Sequence, residues 1–277
     1  MNVIWGPALD ARAAAAREAL RCCRACQRRC GSDRLAGGGD GCGVSAATRC
    51  FKRHISFAEE VELLPSYMVY FAGCNLRCDF CIQAPAAWEE AGEVVEAERY
   101  ARIFERAIAR GCRTINLVGG EPALHAHTIM AIAAAARRPL PLVLNTNLYM
   151  SEETVALLEG VYSLCLADFK FGNDRCAETL GRAARYEYVV GRNLKAVGAE
   201  RLLVRHLMLP GHLECCTRPV MDWMGKNLPG ASFHLMGTYV AGGGGDDRLV
   251  APEEFEQARE YMQRSGLAYH AAKFAQL

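Results

Sequence analysis

Cys74, Cys78 and Cys81 stand in the run Gly73 to Cys81, GCNLRCDFC, at C-x3-C-x2-C spacing. Three thiolates this close can hold three irons of a cubane cluster and leave the fourth iron without a protein ligand. An open position is where a metal centre does chemistry, as it does for a catalytic zinc with three protein ligands. Such an iron can chelate the amino and carboxylate groups of a small molecule and hold its reactive atom against the cluster. A zinc knuckle or a plain electron-transfer cluster is the competing reading, and both normally need a fourth ligand. The next cysteine, Cys112, falls at the start of a predicted strand, the wrong end for a site built at strand C-termini.

A second set of cysteines precedes the first. Cys23, Cys26 and Cys30 are followed by a glycine-rich turn and by Cys42, which Gly41 and Gly43 flank. Four soft ligands at these spacings suit one closed metal site, holding zinc or a second iron-sulfur cluster, and the spacing does not separate the two. Unliganded cysteines in a disordered leader are the alternative. Cys22 and Cys50 are spare ligands for the same site. Cys112, Cys165, Cys176, Cys215 and Cys216 read as small buried hydrophobes, with Cys216 also placed to give a hydrogen atom to a substrate radical. His206 and His234 sit on predicted strands and read as structural.

The elements that must position these residues follow a regular alternation. Apolar, β-rich runs at 66–72, 113–118, 140–146, 163–170, 201–208 and 231–238 are each followed by a helical stretch, at 95–110, 125–137, 151–159, 177–197, 214–227 and 252–265. Parallel strands need crossover helices, so six strand-then-helix units predict a parallel sheet with both faces covered. The fold class expected is α/β, a partial (β/α)6 TIM-like barrel, with a doubly wound open sheet sharing the same signature. Residues 1–60 are expected to form a small N-terminal extension, a helix over 11–20 and the cysteine-rich metal knuckle, and 61–277 the barrel. Gly242 to Gly245 reads as a mobile loop, since no strand-turn-helix context surrounds it.

Bulk properties narrow the class. The 277 residues are 51% hydrophobic with a formal net charge of +1, so no basic stripe announces nucleic acid. No apolar run is long enough to span a bilayer, and the first residues lack the pattern of an export signal. A cytoplasmic protein with reduced, metal-binding cysteines is the expectation.

The C-x3-C-x2-C triad after the first strand, with Phe80 just before its last cysteine, resembles the radical S-adenosylmethionine superfamily. The resemblance implies a 4Fe-4S cluster on Cys74, Cys78 and Cys81, S-adenosylmethionine on the open iron, and Phe80 against the adenine. The run Gly119-Gly120-Glu121-Pro122 is similar to the family's glycine-rich motif, which binds the amino group of the methionine moiety. Asn145 and Thr146, Asp168 and Lys170, and Arg205 ahead of Leu209-Pro210-Gly211 resemble strand-end segments of the pyruvate formate-lyase activating enzyme subgroup. By that resemblance Asn145, Thr146, Asp168, Lys170 and Arg205 contact the cofactor's carboxylate and ribose or a nearby cation. Asn145 stands where that enzyme has an aspartate. The leader also resembles a branch of activating-enzyme-like proteins whose cysteines precede the triad.

The resemblance implies reductive cleavage of the cofactor to a 5′-deoxyadenosyl radical, which takes a hydrogen atom from a peptide, a small molecule or a glycyl-radical protein. It also implies a reductant such as flavodoxin or ferredoxin, while the near-neutral charge and the lack of a spanning apolar run point to neither a nucleic acid nor a membrane as partner. An iron-sulfur electron carrier or a zinc-stabilised binding protein is the alternative from another class, although a carrier has no use for a whole barrel with polar strand ends.

Overall fold

The computed structural model describes residues 3–37, 42–58, 60–238 and 249–269. Gly242 to Gly245 lie outside the described residues. Among the described residues eight strands form one sheet in the order β3-β1-β2-β4-β5-β6-β7-β8. They are β1 Arg49–Ser56, β2 Ser66–Phe71, β3 Glu93–Val94, β4 Thr114–Gly119, β5 Leu142–Thr146, β6 Leu164–Asp168, β7 Leu202–Leu207 and β8 Ser232–Met236. From β2 to β8 every neighbouring pair is parallel. Their spatial order follows the chain without reversal, whereas a doubly wound sheet reverses at its switch point. The topology is therefore that of six consecutive barrel units, as the alternation predicts.

Strand composition explains the layering. All of β5 is buried, as are the first four residues of β6: one face packs against the surrounding helices, and the other turns Val143, Leu164, Leu166 and Leu203 into a separate inner cluster with Leu63. Those helices are α1 Asp10–Glu18, α2 Ala97–Ala109, α3 Ala126–Ala135, α4 Glu152–Leu158, α5 Asp174–Gly181, α6 Tyr186–Val197, α7 Arg218–Asn227 and α8 Pro252–Arg264. α2 turns Tyr100, Ala101, Phe104 and Ala107 inward, the spacing of one helical face. Among the described residues no helix is long and apolar enough to cross a membrane.

Two features depart from the pattern read in the sequence. First, 177–197 is two helices. Arg182 and Arg185 take left-handed φ values of 56° and 54° between α5 and α6. The carbonyls of Leu180 and Gly181, which a continuing helix would need for its next turn, instead accept the amides of Asp79 and Arg77 at 2.9 and 3.0 Å. The cysteine triad's own loop ends α5. Second, β1 and β3 are unannounced by any apolar alternation, because β1 carries Lys52, Arg53 and His54 near the edge of the sheet, where charge is tolerated. β1 pairs antiparallel with β2 from Cys50 against Phe71 to Ser56 against Ser66. α1 packs on the barrel: Leu9, Ala13 and Ala16 belong to the same buried cluster as the barrel helices.

Candidate active site

β2 delivers the chain to the triad loop at the C-terminal edge of the sheet. Gly73 turns there with φ of +88°, and a Cβ on it would meet Val44 Cγ2 at 2.1 Å. Cys74 and Cys78 are buried, and Cys81 is half-buried. Cys74 Sγ lies 3.4 Å from the Leu76 amide and 3.7 Å from Asn147 Nδ2. Burial, then the Glu121 charge, pushes the Cys74 thiol far up. Burial likewise pushes Cys78 up to about 12, although the Lys170 ammonium opposes it. Thiols so reluctant to ionise alone become thiolates when a metal takes the place of their protons.

The second loop, at the end of β4, is pressed against the first. The Gly120 amide donates to the Phe71 carbonyl at 2.7 Å and the Glu121 amide to the Gly73 carbonyl at 2.8 Å. A Cβ on Gly120 would lie 1.9 Å from Gly73 O, and one on Gly119 2.4 Å from the Phe71 backbone. These glycines thus permit a close approach of backbone to backbone between the two loops. Glu121 is fully buried, and both its oxygens are taken. Oε1 accepts from Thr146 Oγ1 at 2.6 Å and the Ala123 amide at 2.9 Å, and Oε2 from the Asn147 amide at 2.8 Å. Burial outweighs these bonds and pushes its carboxyl up to about 7. Its side chain joins the ends of β4 and β5 inside the protein.

A third group gathers at the ends of β5, β6 and β7. Arg205 donates from Nε to Asp168 Oδ1 at 2.9 Å and from Nη2 to Asn145 Oδ1 at 2.7 Å. Lys170 Nζ reaches Asp168 Oδ2 at 2.7 Å. Burial alone would raise the Asp168 carboxyl, but Arg205 and Lys170 hold it down at about 2. Asn145, Asp168, Lys170 and Arg205 therefore form one ionised network, while Thr146 belongs with Glu121. Phe80 packs edge-on against Phe171, with ring centres 6.0 Å apart. His206 is buried and held by the Phe169 carbonyl and Thr217, a structural placement.

The N-terminal cysteines lie close to the triad. The chain around Cys23 doubles back, with the Cys23 amide on the Ser32 carbonyl and the Gly31 amide on the Cys23 carbonyl, both at 3.0 Å. Cys23, Cys26 and Cys42 are buried and Cys30 is exposed. Burial pushes Cys26 up to about 11. Arg34, 1% exposed, pins this segment by donating to the carbonyls of Val44, Ser45 and Leu124. Arg28 Nε reaches the Asn75 carbonyl inside the triad loop at 2.7 Å. The four N-terminal sulfurs do not converge within 4.8 Å of one another. Among the described residues the group that does is Cys176, His212, Cys215 and Cys216.

Several positions here escape a sequence reading. Asn75, whose Oδ1 accepts from Asn147 Nδ2 at 2.9 Å and whose Nδ2 donates to the Tyr149 carbonyl at 2.7 Å, has no motif of its own. Glu60 and Tyr186 are equally silent. Glu60 Oε1 approaches His234 Nδ1 at 3.2 Å, and the Tyr186 hydroxyl accepts the Lys170 amide at 2.8 Å. Cys112 and Cys165 are buried as expected of small hydrophobes. Cys176 and Cys215 are only half-buried, and the His212-x2-Cys215-Cys216 spacing is the signal that sets them apart.

Three soft donors on one short loop fit an iron-sulfur cluster, and the Lys170 charge near Cys78 complements the net negative charge of a thiolate-bound cluster. A cubane places each thiolate on a different iron, so its ligands need not crowd around one point.

The family model for the radical SAM superfamily matches residues 68–224. An uncharacterised protein of Methanocaldococcus jannaschii, MJ0674, is 29% identical over 271 residues, spanning 94% of this chain and 79% of that protein. The GTP 3′,8-cyclase of Mycobacterium marinum is 35% identical over 92 residues, 31% of this chain and 26% of the cyclase. Streptococcus suis SuiB bound to S-adenosylmethionine shares the fold at a TM-score of 0.55 and 16% identity, covering 71% of this chain and 47% of SuiB. With its triad loop inside a family match that takes in more than half of its length, the chain belongs to the radical SAM superfamily.

Proposed function

We propose that this protein is a radical SAM enzyme that cleaves S-adenosylmethionine reductively and uses the resulting radical to abstract hydrogen from a substrate at the barrel mouth. The observation that carries this reading is the fusion of the triad loop to the GGEP loop, through the Glu121 amide on the Gly73 carbonyl at 2.8 Å. It puts the three thiols and the glycine-rich backbone on one edge, beside the Asp168 network. Cys74, Cys78 and Cys81 would hold the 4Fe-4S cluster. When bound, that cluster supplies the electron that breaks the cofactor's carbon-sulfur bond, giving methionine and a 5′-deoxyadenosyl radical.

The chain's own residues orient and enclose. The backbone of Gly119 and Gly120 faces the methionine end, while Glu121, with both oxygens engaged inside the protein, positions that backbone. Asp168, ionised between Arg205 and Lys170, offers a fixed acceptor for ribose hydroxyls. Arg205 and Asn145 offer polar contacts to a carboxylate, and Thr146 sets the Glu121 side chain. Phe80 gives the adenine an apolar wall. Cys23, Cys26, Cys30 and Cys42 would form a second soft-metal centre, zinc or iron-sulfur, and the spread of their sulfurs favours a cluster, with each thiolate on its own iron, over a single zinc ion. Flavodoxin or ferredoxin in the cytoplasm would supply the electron. The strand-end residues support a reading close to the pyruvate formate-lyase activating enzymes, with a peptide, small molecule or glycyl-radical protein as substrate.

Calorimetry of the anaerobically reconstituted protein tests the cofactor assignment. S-adenosylmethionine should bind the cluster-loaded parent, and Asp168→Asn should weaken that binding about tenfold, near the worth of one charge-assisted hydrogen bond. A loaded parent that binds no S-adenosylmethionine would contradict the assignment and favour an iron-sulfur electron carrier.

A further inference from the structure

The geometry points to a further, separate metal site: Cys176, His212, Cys215 and Cys216 form a tetrahedral zinc centre that clasps the first turn of α5, after β6, to the turn after β7. The ligand atoms of these four residues all lie within 4.8 Å of one another. A tetrahedron with zinc-sulfur bonds of about 2.3 Å and zinc-nitrogen bonds of about 2.05 Å has sulfur-sulfur edges of about 3.8 Å and nitrogen-sulfur edges of about 3.6 Å. Cys176 Sγ and Cys215 Sγ are 3.8 Å apart. His212 Nδ1 stands 3.8, 3.2 and 3.9 Å from the sulfurs of Cys176, Cys215 and Cys216. The edges already fit a single ion.

The local backbone is built to make this convergence. A single π turn, Leu213–Thr217, brings both cysteines back to His212, whose carbonyl accepts the amides of Cys216 and Thr217 at 2.9 and 3.2 Å. Such turns are rare and recur at functional sites. Asn173 supports the arrangement from the other loop. Its Oδ1 accepts the Cys176 amide at 2.8 Å and its Nδ2 lies 3.3 Å from Cys176 Sγ, the kind of outer contact that orients a metal ligand. The two loops touch closely, since a Cβ on Gly172 would meet the Cys216 carbonyl at 2.5 Å.

Three cysteines and one histidine close the coordination sphere, which marks a structural zinc site. Binding sends the three thiol protons to solvent as the metal takes their place. The loop held on one side carries Lys170 and Phe171, so the clasp fixes one wall of the barrel mouth. This site stands independently of the function proposed above and is tested without turnover.

The test is zinc and iron analysis of protein carrying Cys74→Ala, Cys78→Ala and Cys81→Ala, paired with alkylation mapping of the parent. Zinc should remain in the triad variant, and His212→Ala with Cys215→Ser should remove one equivalent. In the folded parent, Cys176, Cys215 and Cys216 should resist iodoacetamide until a zinc chelator is added, a readout that needs no variant to fold. Zinc content untouched by the His212 and Cys215 changes would overturn the site. So would iron in its place, a Cys176-Cys215 disulfide, or alkylation as fast before chelation as after it.

Discussion

At the scale of single residues, Glu121 is the most informative side chain in the site. Its carboxyl is fully buried and pushed up to about 7 from an ordinary 4.5, so folding takes up a proton between those values. The stability this group contributes is complete below about pH 4.5 and is lost as pH rises through about 7. Glu121→Gln should remove that dependence. Thermal midpoints of the parent should fall more between pH 5 and pH 8 than those of the variant. The variant should also be less stable at pH 5 by roughly 1–3 kcal/mol, because an amide nitrogen would face donors. Equal pH dependence in the two proteins would contradict the buried carboxyl. The spacing of the triad and GGEP is legible in the sequence, but the duty of Glu121 toward Thr146 and Asn147 is not, since it joins residues far apart along the chain.

Elements bring those residues together by contact between loops. Gly120 allows the end of β4 to lie against Gly73, and Gly120→Ala would put a Cβ 1.9 Å from the Gly73 carbonyl oxygen. The loops must then separate, at a cost of about 1–3 kcal/mol or more for overpacking. We expect a lower thermal midpoint and less iron per chain after reconstitution, whereas normal iron content would show that the two loops are not coupled. The positions of β2, of β4 to β8 and of the crossover helices between them follow from the alternation of apolar runs. The break at Arg182 does not, because its cause is non-local: the Asp79 and Arg77 amides take the last carbonyls of α5. β1 is hidden for a different reason, its charged face being one that only pairing with β2 explains.

Across the whole molecule, the N-terminal segment is tied to the barrel by α1 in the shared core, by β1 in the sheet and by Arg34. Arg34→Met leaves the carbonyls of Val44, Ser45 and Leu124 without that donor, and the two buried ones, Val44 and Leu124, cost about 1–3 kcal/mol each. Trypsin should then cut within residues 20–50 much faster than in the parent, with the barrel core still resistant. Unchanged cleavage would mean that the segment is held by other contacts.

The central claim is that the triad thiols start radical chemistry on S-adenosylmethionine. The most direct measurement is 5′-deoxyadenosine released by reduced, anaerobically reconstituted protein, compared with its Cys74→Ala, Cys78→Ala and Cys81→Ala variants. The account predicts release by the parent and none by the three variants; a cluster-loaded parent that releases none, or variants that match it, would contradict the account.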